Sequence, residues 1–534
     1  MSCSKIFSGD LPELTYKVLK YLQNNYSTLH SCILVNRLWC RLVIPLLWEN
    51  PFSIPTKNYN FIIIYSHNSN SDFKTKLIEY KIINNNSLPL NTLFNYPSFL
   101  KYLSINKKFI YSVQNWVGNA IRKSNPKNLS DFKRKVDIFV SLFKIFIENE
   151  VKLHTLEIEF SSINISTYLN NIFELILQNT NFIHNIRNIN LFVGSLFFNI
   201  SNEYNLIKNR ISQIINLQQN LKKILIDDRS FPLYRPLLLS KDSNCSNTLN
   251  TITFYKVNLN CLSKNIFEQL NVLESIHFLH CYSLSNNFIQ QIINLAKPFK
   301  LKSLFIEVKP QQFESLELLL QKSGDYLENF GIVLNHGLEI VLNIRPLYEQ
   351  FLVLITKYCK NIKFFDFHGP ESMSTYQILL LVKNVKQNLN YLSINIWYDN
   401  NGTGCSSMVL SNLGYYLPSK LEYLCFDLYY IKASEFEEFL KKSQNTFIKK
   451  LLINSIEGQD ILHSIKKYIM KKKRVKYLAI SDSSCEYTFG SYSHNIKELF
   501  SLKYEVDEFR LYNIEVQSYL NLKIDSYNYI KEIN

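Results

Sequence analysis

One pattern dominates this chain: an apolar residue, two residues of any kind, a second apolar residue, one more residue, and a third apolar one. It occurs at Leu100/Leu103/Ile105, Leu153/Leu156/Ile158, Ile186/Ile189/Leu191, Leu221/Ile224/Ile226, Leu249/Ile252/Phe254, Leu273/Ile276/Phe278 and Leu301/Leu304/Ile306. It continues at Leu327/Phe330/Ile332, Ile362/Phe365/Phe367, Leu389/Leu392/Ile394, Leu421/Leu424/Phe426, Ile448/Leu451/Ile453, Val475/Leu478/Ile480 and Val506/Phe509/Leu511. From Leu153 onward the starts lie 24 to 35 residues apart, with a mean of about 29. Alternate side chains of a strand share a face, so the last two apolar positions of each motif form a stripe that a lone strand cannot bury. Stacking successive units supplies the missing core, and the period leaves room for a helix after each strand. Amphipathic helical patterns fall in those intervals at Phe288–Ala296, Phe313–Leu320, Tyr348–Tyr358, Tyr376–Val385, Phe436–Lys442 and Ile461–Met470. The expected fold class is α/β, with strand-helix repeats forming a curved parallel sheet.

Composition permits such a core. Hydrophobic residues are 46% of the chain, with 37 Phe and 34 Tyr, which excludes a disordered polymer. Only 12 Gly and 14 Pro argue against glycine-loop designs that cradle phosphates. The unit Leu273-x-x-Ile276-x-Phe278-x-x-Cys281-x-x-Leu284 is the most complete, with Cys281 placed where the chain turns inward and must satisfy backbone groups. It resembles the longer leucine-rich repeats, and the array over 100–534 resembles a degenerate leucine-rich-repeat solenoid. Val193–Glu203, Pro232–Asn247 and Asp399–Ser407 read as insertions in it.

The first fifty residues follow a different rule. Asp10 stands where a helix cap belongs, and Pro12 sits in the first turn, where a missing N–H costs nothing. Leu14, Val18, Leu19 and Leu22 make one apolar stripe, and Asn24-Asn25 closes that helix. Ser27 or Thr28 can cap a second helix, and a third short segment runs through Leu42, Val43, Pro45, Leu46 and Leu47 to Trp48. Leu11-Pro12-Glu13-Leu14, the run Cys32-x-x-Val35-x-Arg37-x-Trp39 and the closing Leu47-Trp48 resemble the F-box motif, with Thr15-Tyr16-Lys17 and Asn24-Asn25-Tyr26 as departures from it. The resemblance implies a three-helix module over 1–52 that docks on a Skp-family adaptor and, through it, on a cullin-based ubiquitin ligase. Carried over residue by residue, it implies adaptor contacts at Leu11, Pro12, Leu14, Leu19, Leu22, Val35 and Trp39. Residues 53–99, which fit neither pattern, read as a junction, with His67–Asp72 as an exposed loop.

No constellation for chemistry is visible. The G-x-S-x-G, H-E-x-x-H, G-x-x-x-x-G-K-[ST] and G-x-G-x-x-G signatures are missing, and the two glycines of 400–407 have no accompanying lysine. His277, His280 and Cys281 are close in sequence, but in the repeat register His277 points out from the strand while Cys281, where the chain turns, points in, a poor metal geometry. We therefore expect neither catalytic residues, cofactor nor metal. Ten cysteines without a C-x-x-C pair read as reduced thiols. The lack of a signal-like start or a long apolar run points to a soluble protein of the cytoplasm or nucleus.

The net charge of +15 raises nucleic-acid binding as an alternative, with Lys466-Lys467 and Lys471-Lys472-Lys473-Arg474 as the densest cluster. A solvated helix end explains that run more simply. The resemblance instead assigns the repeats to binding a target protein for ubiquitin transfer, or to a scaffold that uses the adaptor without ubiquitination. Residues flanking the inward strand positions line the concave surface of such an array. In the second half these are Phe364, Asp366, His368, Tyr391, Asn395, Tyr423, Asp427, Tyr477, Ser481, Arg510 and Tyr512, rich in the tyrosine that anchors protein interfaces.

Overall fold

The computed structural model describes residues 11–533 except 24, 54–58, 60, 67–71, 84–91, 125–130, 161–165, 195–201, 240–244, 263, 296–299, 310–311, 335–344, 372, 374, 398–403 and 489–490. Asp10, residues 67–71 of the expected loop and residues 400–403 of the glycine-bearing segment therefore lie outside the described residues, while Asp72 opens a helix. The chain forms two compact units, one holding residues up to Ile252 with 269–272, the other 253–268 with everything from Leu273 onward.

The first unit begins with three helices, α1 (Pro12–Lys20), α2 (Tyr26–Ile33) and α3 (Arg37–Trp48). Asn25 caps α2 by accepting the Thr28 amide at 3.0 Å, and Asn36 caps α3 by accepting the Trp39 amide at 2.9 Å. Asn25 thus fills the place expected of Ser27 or Thr28, because its carboxamide reaches the third amide of the helix. Leu19, Leu29, Cys32, Val43 and Leu46 form the core of this module. Described parts of the 53–99 region form short helices, Ile62–Tyr65 and Asp72–Glu79. Tyr65 is fully buried, with its ring edge-on to Trp48 at 5.3 Å and to Phe146 at 5.4 Å. Strands β1 (Tyr102–Ile105), β2 (Thr155–Phe160), β3 (Asn188–Val193) and β4 (Lys223–Asp227) pair in parallel in chain order.

The division between units falls inside β5 (Thr251–Tyr255). In the second unit β6 (Ser275–Cys281), β7 (Lys300–Val308), β8 (Asn329–Leu334), β9 (Phe364–Pro370), β10 (Tyr391–Trp397), β11 (Lys420–Ile431), β12 (Phe447–Gly458) and β13 (Val475–Thr488) pair with one another in parallel and in chain order. The Glu328 carbonyl accepts the amides of Lys363 and Phe364, the Lys363 carbonyl those of Asn390 and Tyr391, and the Asn390 carbonyl those of Glu422 and Tyr423. This repeated forked bond sets the entry of each strand. Helices such as Phe313–Ser323, Arg345–Tyr358, Thr375–Val385 and Ala433–Lys442 return the chain between strands. Leu304, Phe330, Phe365, Leu392, Leu424, Leu451 and Leu478, the second positions of successive motifs, are all fully buried between sheet and helices. Burying each such side chain stabilises the fold by about 1.5–3 kcal/mol before entropy is counted.

Thirteen of the fourteen motifs coincide with β1 to β13. The exception is Val506/Phe509/Leu511, which lies in a helix, Lys503–Leu511. Its charged neighbours Glu505, Asp507, Glu508 and Arg510 suit a helix surface, and only Phe509 of the helix is buried. Pro232–Asn247, read as an insertion, instead begins with the helix Phe231–Leu239, which takes the repeat's helical position. β13 turns back into an antiparallel β14 (Ser491–Glu498) and also pairs in parallel with a two-residue β15 (Glu515–Val516). No described helix is long and apolar enough to cross a membrane.

Candidate protein-interaction faces

The helical module sorts its apolar side chains into two sets. Leu19 is fully buried in the core, so it supports the module and is not available to a partner, a correction to its placement among the adaptor contacts. Leu22 and Trp39 are half-buried against the same core, and Leu11 and Pro12 are half-buried at the start of α1. Leu14 and Val35 are exposed. Three further apolar residues of the module stand in solvent: Val18, Tyr21 at 91% and Leu34 at 79%. Leu14, Val18 and Tyr21 follow helical spacing along α1, while Leu34 and Val35 come just after α2. An available signal was that the sequence offers more apolar residues here than a fifty-residue core can enclose.

In the second unit the strand register aligns the flanking residues into rows. Phe364, Tyr391, Tyr423, Lys450 and Tyr477 form one row, and His368, Asn395, Asp427, Asn454 and Ser481 another. The predicted residues between Phe364 and Ser481 therefore do converge on one face. Asp366 accepts from His368 at 3.0 Å, and Asp427 accepts from Asn395 at 3.1 Å and from Asn454 at 2.8 Å. Burial alone would raise the Asp366 carboxyl, but bonds from His368 and Ser393 hold it below the ordinary range; burial would lower His368, but its Asp366 partner raises it. The Cys425 thiol in the middle of this face is pushed up to about 11 by burial, which makes it a poor nucleophile. Arg510 and Tyr512 do not belong to the face, because the chain is helical up to Leu511.

The face is occupied. Phe364 and Tyr423 are each 1% exposed and Ser481 is buried, while Tyr391 and Tyr477 are partly covered. The segment from Glu515 to Ile533 runs back across the strands from β13 towards β5. Val516 pairs with Leu478, and Tyr519 enters a cluster with Tyr423, Cys425, Leu452 and Ala479. The Ile524 amide donates to the Tyr423 hydroxyl at 3.2 Å. The Tyr529 ring stands edge-on to Phe364 at 4.9 Å and lies 4.7 Å from Tyr391. Ser526 pairs with His280 at 2.8 Å, and the Tyr527 ring lies 4.3 Å from Tyr255. Nothing in the composition singled out this strap, since its tyrosines are among 34.

The other sequence features find structural employment. His277 bonds Ser303 at 2.8 Å, His280 bonds Ser526, and the Cys281 thiol donates to the Phe254 carbonyl at 3.4 Å, so the three turn to separate partners. In the lysine-rich run, Lys466 pairs with Glu505 and Glu508, and Lys467 with Glu437. Arg474 is buried and donates to the carbonyls of Leu440, Ser443 and Thr446. Lys471, Lys472 and Lys473 alone of the run form an exposed basic turn.

These features define an α/β strand-helix repeat protein of leucine-rich-repeat type that carries a small helical module. No protein-family model matches the chain, and no curated protein matches it either. Among solved structures it is similar to a chain in the crystal structure of the Rad7 and Elc1 complex of yeast, at 12% identity and a TM-score of 0.36, over 69% of this chain and 82% of that one.

Proposed function

We propose that the chain is a substrate receptor of an SCF-type ubiquitin ligase, in which the helical module docks on a Skp-family adaptor and the repeats bind a target protein. It performs no bond-making step itself; ubiquitin transfer belongs to the other subunits. The observation that carries this reading is the set of exposed apolar side chains, Leu14, Val18 and Tyr21 along α1 and Leu34 and Val35 just after α2, on a module with its own closed core. A helix-on-helix contact gains most from a few such anchors, which would be costly to expose without a partner. The F-box resemblance of Leu11-Pro12 and of Cys32 to Trp39 supports the same reading. Because these anchors are already solvent-exposed, Val18→Glu with Leu34→Glu should leave thermal unfolding unchanged and abolish co-purification with a Skp-type adaptor. Adaptor retained at the unaltered level would overturn the proposal.

A further inference from the structure

We infer that the concave face of the second unit is a peptide-binding groove whose resting occupant is the chain's own segment Glu515–Ile533, and that a target enters by displacing it. The ligand class follows from the strap: a segment presenting aromatic and aliphatic anchors at the spacing of Tyr519, Leu522, Ile524 and Tyr529, with a basic residue for Asp427. The inference rests on the reading of the repeats as the target-binding part and is independent of the adaptor.

The floor beneath the strap has the make-up of an interface. A fold's interior is apolar, and its buried charges are few. Here an aromatic row runs beside a polar one of His368, Asn395, Asp427 and Asn454, backed by Asp366. The strap meets it with tyrosines and with Lys523, whose ammonium lies 3.7 Å from Asp427. Tyrosine anchors over a polar floor are the composition of recognition surfaces.

The strap also leaves part of this face open to solvent: a pocket of about 310 Å³ lies between it and β10 to β12, lined by Tyr391, Glu422, Lys450, Asp525 and Tyr529 among others.

The strap is held by local, separable contacts. Its strand is two residues long, and its helices, Tyr519–Leu522 and Ser526–Ile533, are too short to persist in water without docking. Ile530, fully buried with Leu279, Phe305 and Phe364, is its deepest anchor. A groove filled by its own chain binds an outside peptide in proportion to the fraction of time it stands open.

The test uses the full chain and, as probe, a fluorescent peptide of residues 515–533. Tyr529→Ala with Ile530→Asp should free the groove, so this variant should bind the peptide at least about tenfold more tightly than the unaltered chain. Adding Tyr391→Ala should remove that binding. Equal binding by variant and unaltered chain, or binding by neither, overturns the inference. Should the double variant fail to fold, hydrogen exchange on the unaltered chain decides. Gln517 and Ile524 amides exchanging well before the Leu392 amide support an exchangeable strap; equal protection makes it a fixed part of the fold and overturns the inference. Adaptor co-purification scored on the same variant separates this outcome from that of the receptor reading.

Discussion

The hydroxyl of Tyr423 accepts the backbone amide of Ile524 at 3.2 Å across 101 residues of sequence. Tyr423 is itself 1% exposed, and burial holds its phenol protonated far beyond the ordinary range, so the hydroxyl is a fixed neutral acceptor. Tyr423→Phe keeps the ring packing and leaves the Ile524 amide without that partner. The expected cost is about 1–3 kcal/mol, confined to the strap. Hydrogen exchange should show Ile524 and Gln517 accelerated and Leu392 unchanged; a uniform loss of protection would show that strap and sheet open together.

Arg474 ends a run of basic residues but acts unlike the lysines before it. Its guanidinium caps the helix Ala433–Lys442 by donating to the carbonyls of Leu440 and Ser443 and also reaches that of Thr446. Those acceptors lie at the negative end of the helix dipole, which favours a cation there. Arg474→Ala leaves those buried carbonyls without their donor and should therefore destabilise the second unit by about 1–3 kcal/mol. Arg474→Lys should restore only part of this, because an ammonium lacks the planar fork of donors. Lys471→Ala, Lys472→Ala and Lys473→Ala combined should change denaturant stability little. A milder effect for Arg474→Ala than for the lysine triple would contradict this assignment.

The pH response separates two histidines on the concave face. His368 is raised above 6.5 by Asp366, with Lys523 and Asp427 also nearby. Its stabilisation is therefore complete below the unfolded value and fades as pH rises through the folded one. Asp366, held below 3.8, contributes its share above that value and loses it as pH falls through its folded one. His280 behaves oppositely. Burial lowers it despite Asp366 and Asp525, so its neutral form is the stable one and acidification below 6.5 is penalised. Thermal unfolding of His368→Gln should fall furthest below the unaltered chain near about pH 5.5 and approach it near about pH 9. His280→Gln should improve relative to the unaltered chain as pH falls. Parallel trends for the two variants would refute the assignment.

Much of the repeat architecture was legible because its inward positions obey one rule. Leu392 and Ile394 are both fully enclosed between sheet and helix, and any unit that relaxed that requirement would open a cavity. The rule fails at Val506/Phe509/Leu511 because the same spacing also suits a helix with one buried residue, and Leu511 is 81% exposed. Pro232 and Pro236 disguised the helix Phe231–Leu239, which tolerates the first near its start and the second within it. The strap was illegible for a different reason. Tyr519, Ile524 and Ile530 are spaced to meet strands more than ninety residues away in sequence, as with Cys425 and Tyr519, and no local periodicity records such contacts. Leu19 and Val35 belong to the same motif, yet one is buried and the other exposed, a distinction that the motif alone cannot make.

Gly331 in β8 links the sheet to the strap through Phe305. A Cβ built there would lie 2.2 Å from Cδ1 of the Phe305 ring, so any side chain forces that ring to move. Phe305 is 1% exposed and packs with Leu279, Phe364 and Ile530, which leaves the strap as the element that can yield. In an open strand, Gly→Ala would be favourable by about 0.5–1 kcal/mol through backbone entropy. Here the overlap should reverse the sign and cost about 1–3 kcal/mol. The strap amides should lose protection first. Phe305→Leu, which shortens the offending ring, should be mildly destabilising alone yet should recover part of the Gly331→Ala loss when combined with it. A double-mutant cycle read by denaturant unfolding measures that recovery as a coupling of about 0.5–3 kcal/mol. Simple additivity of the two substitutions would show that Phe305 does not transmit the clash.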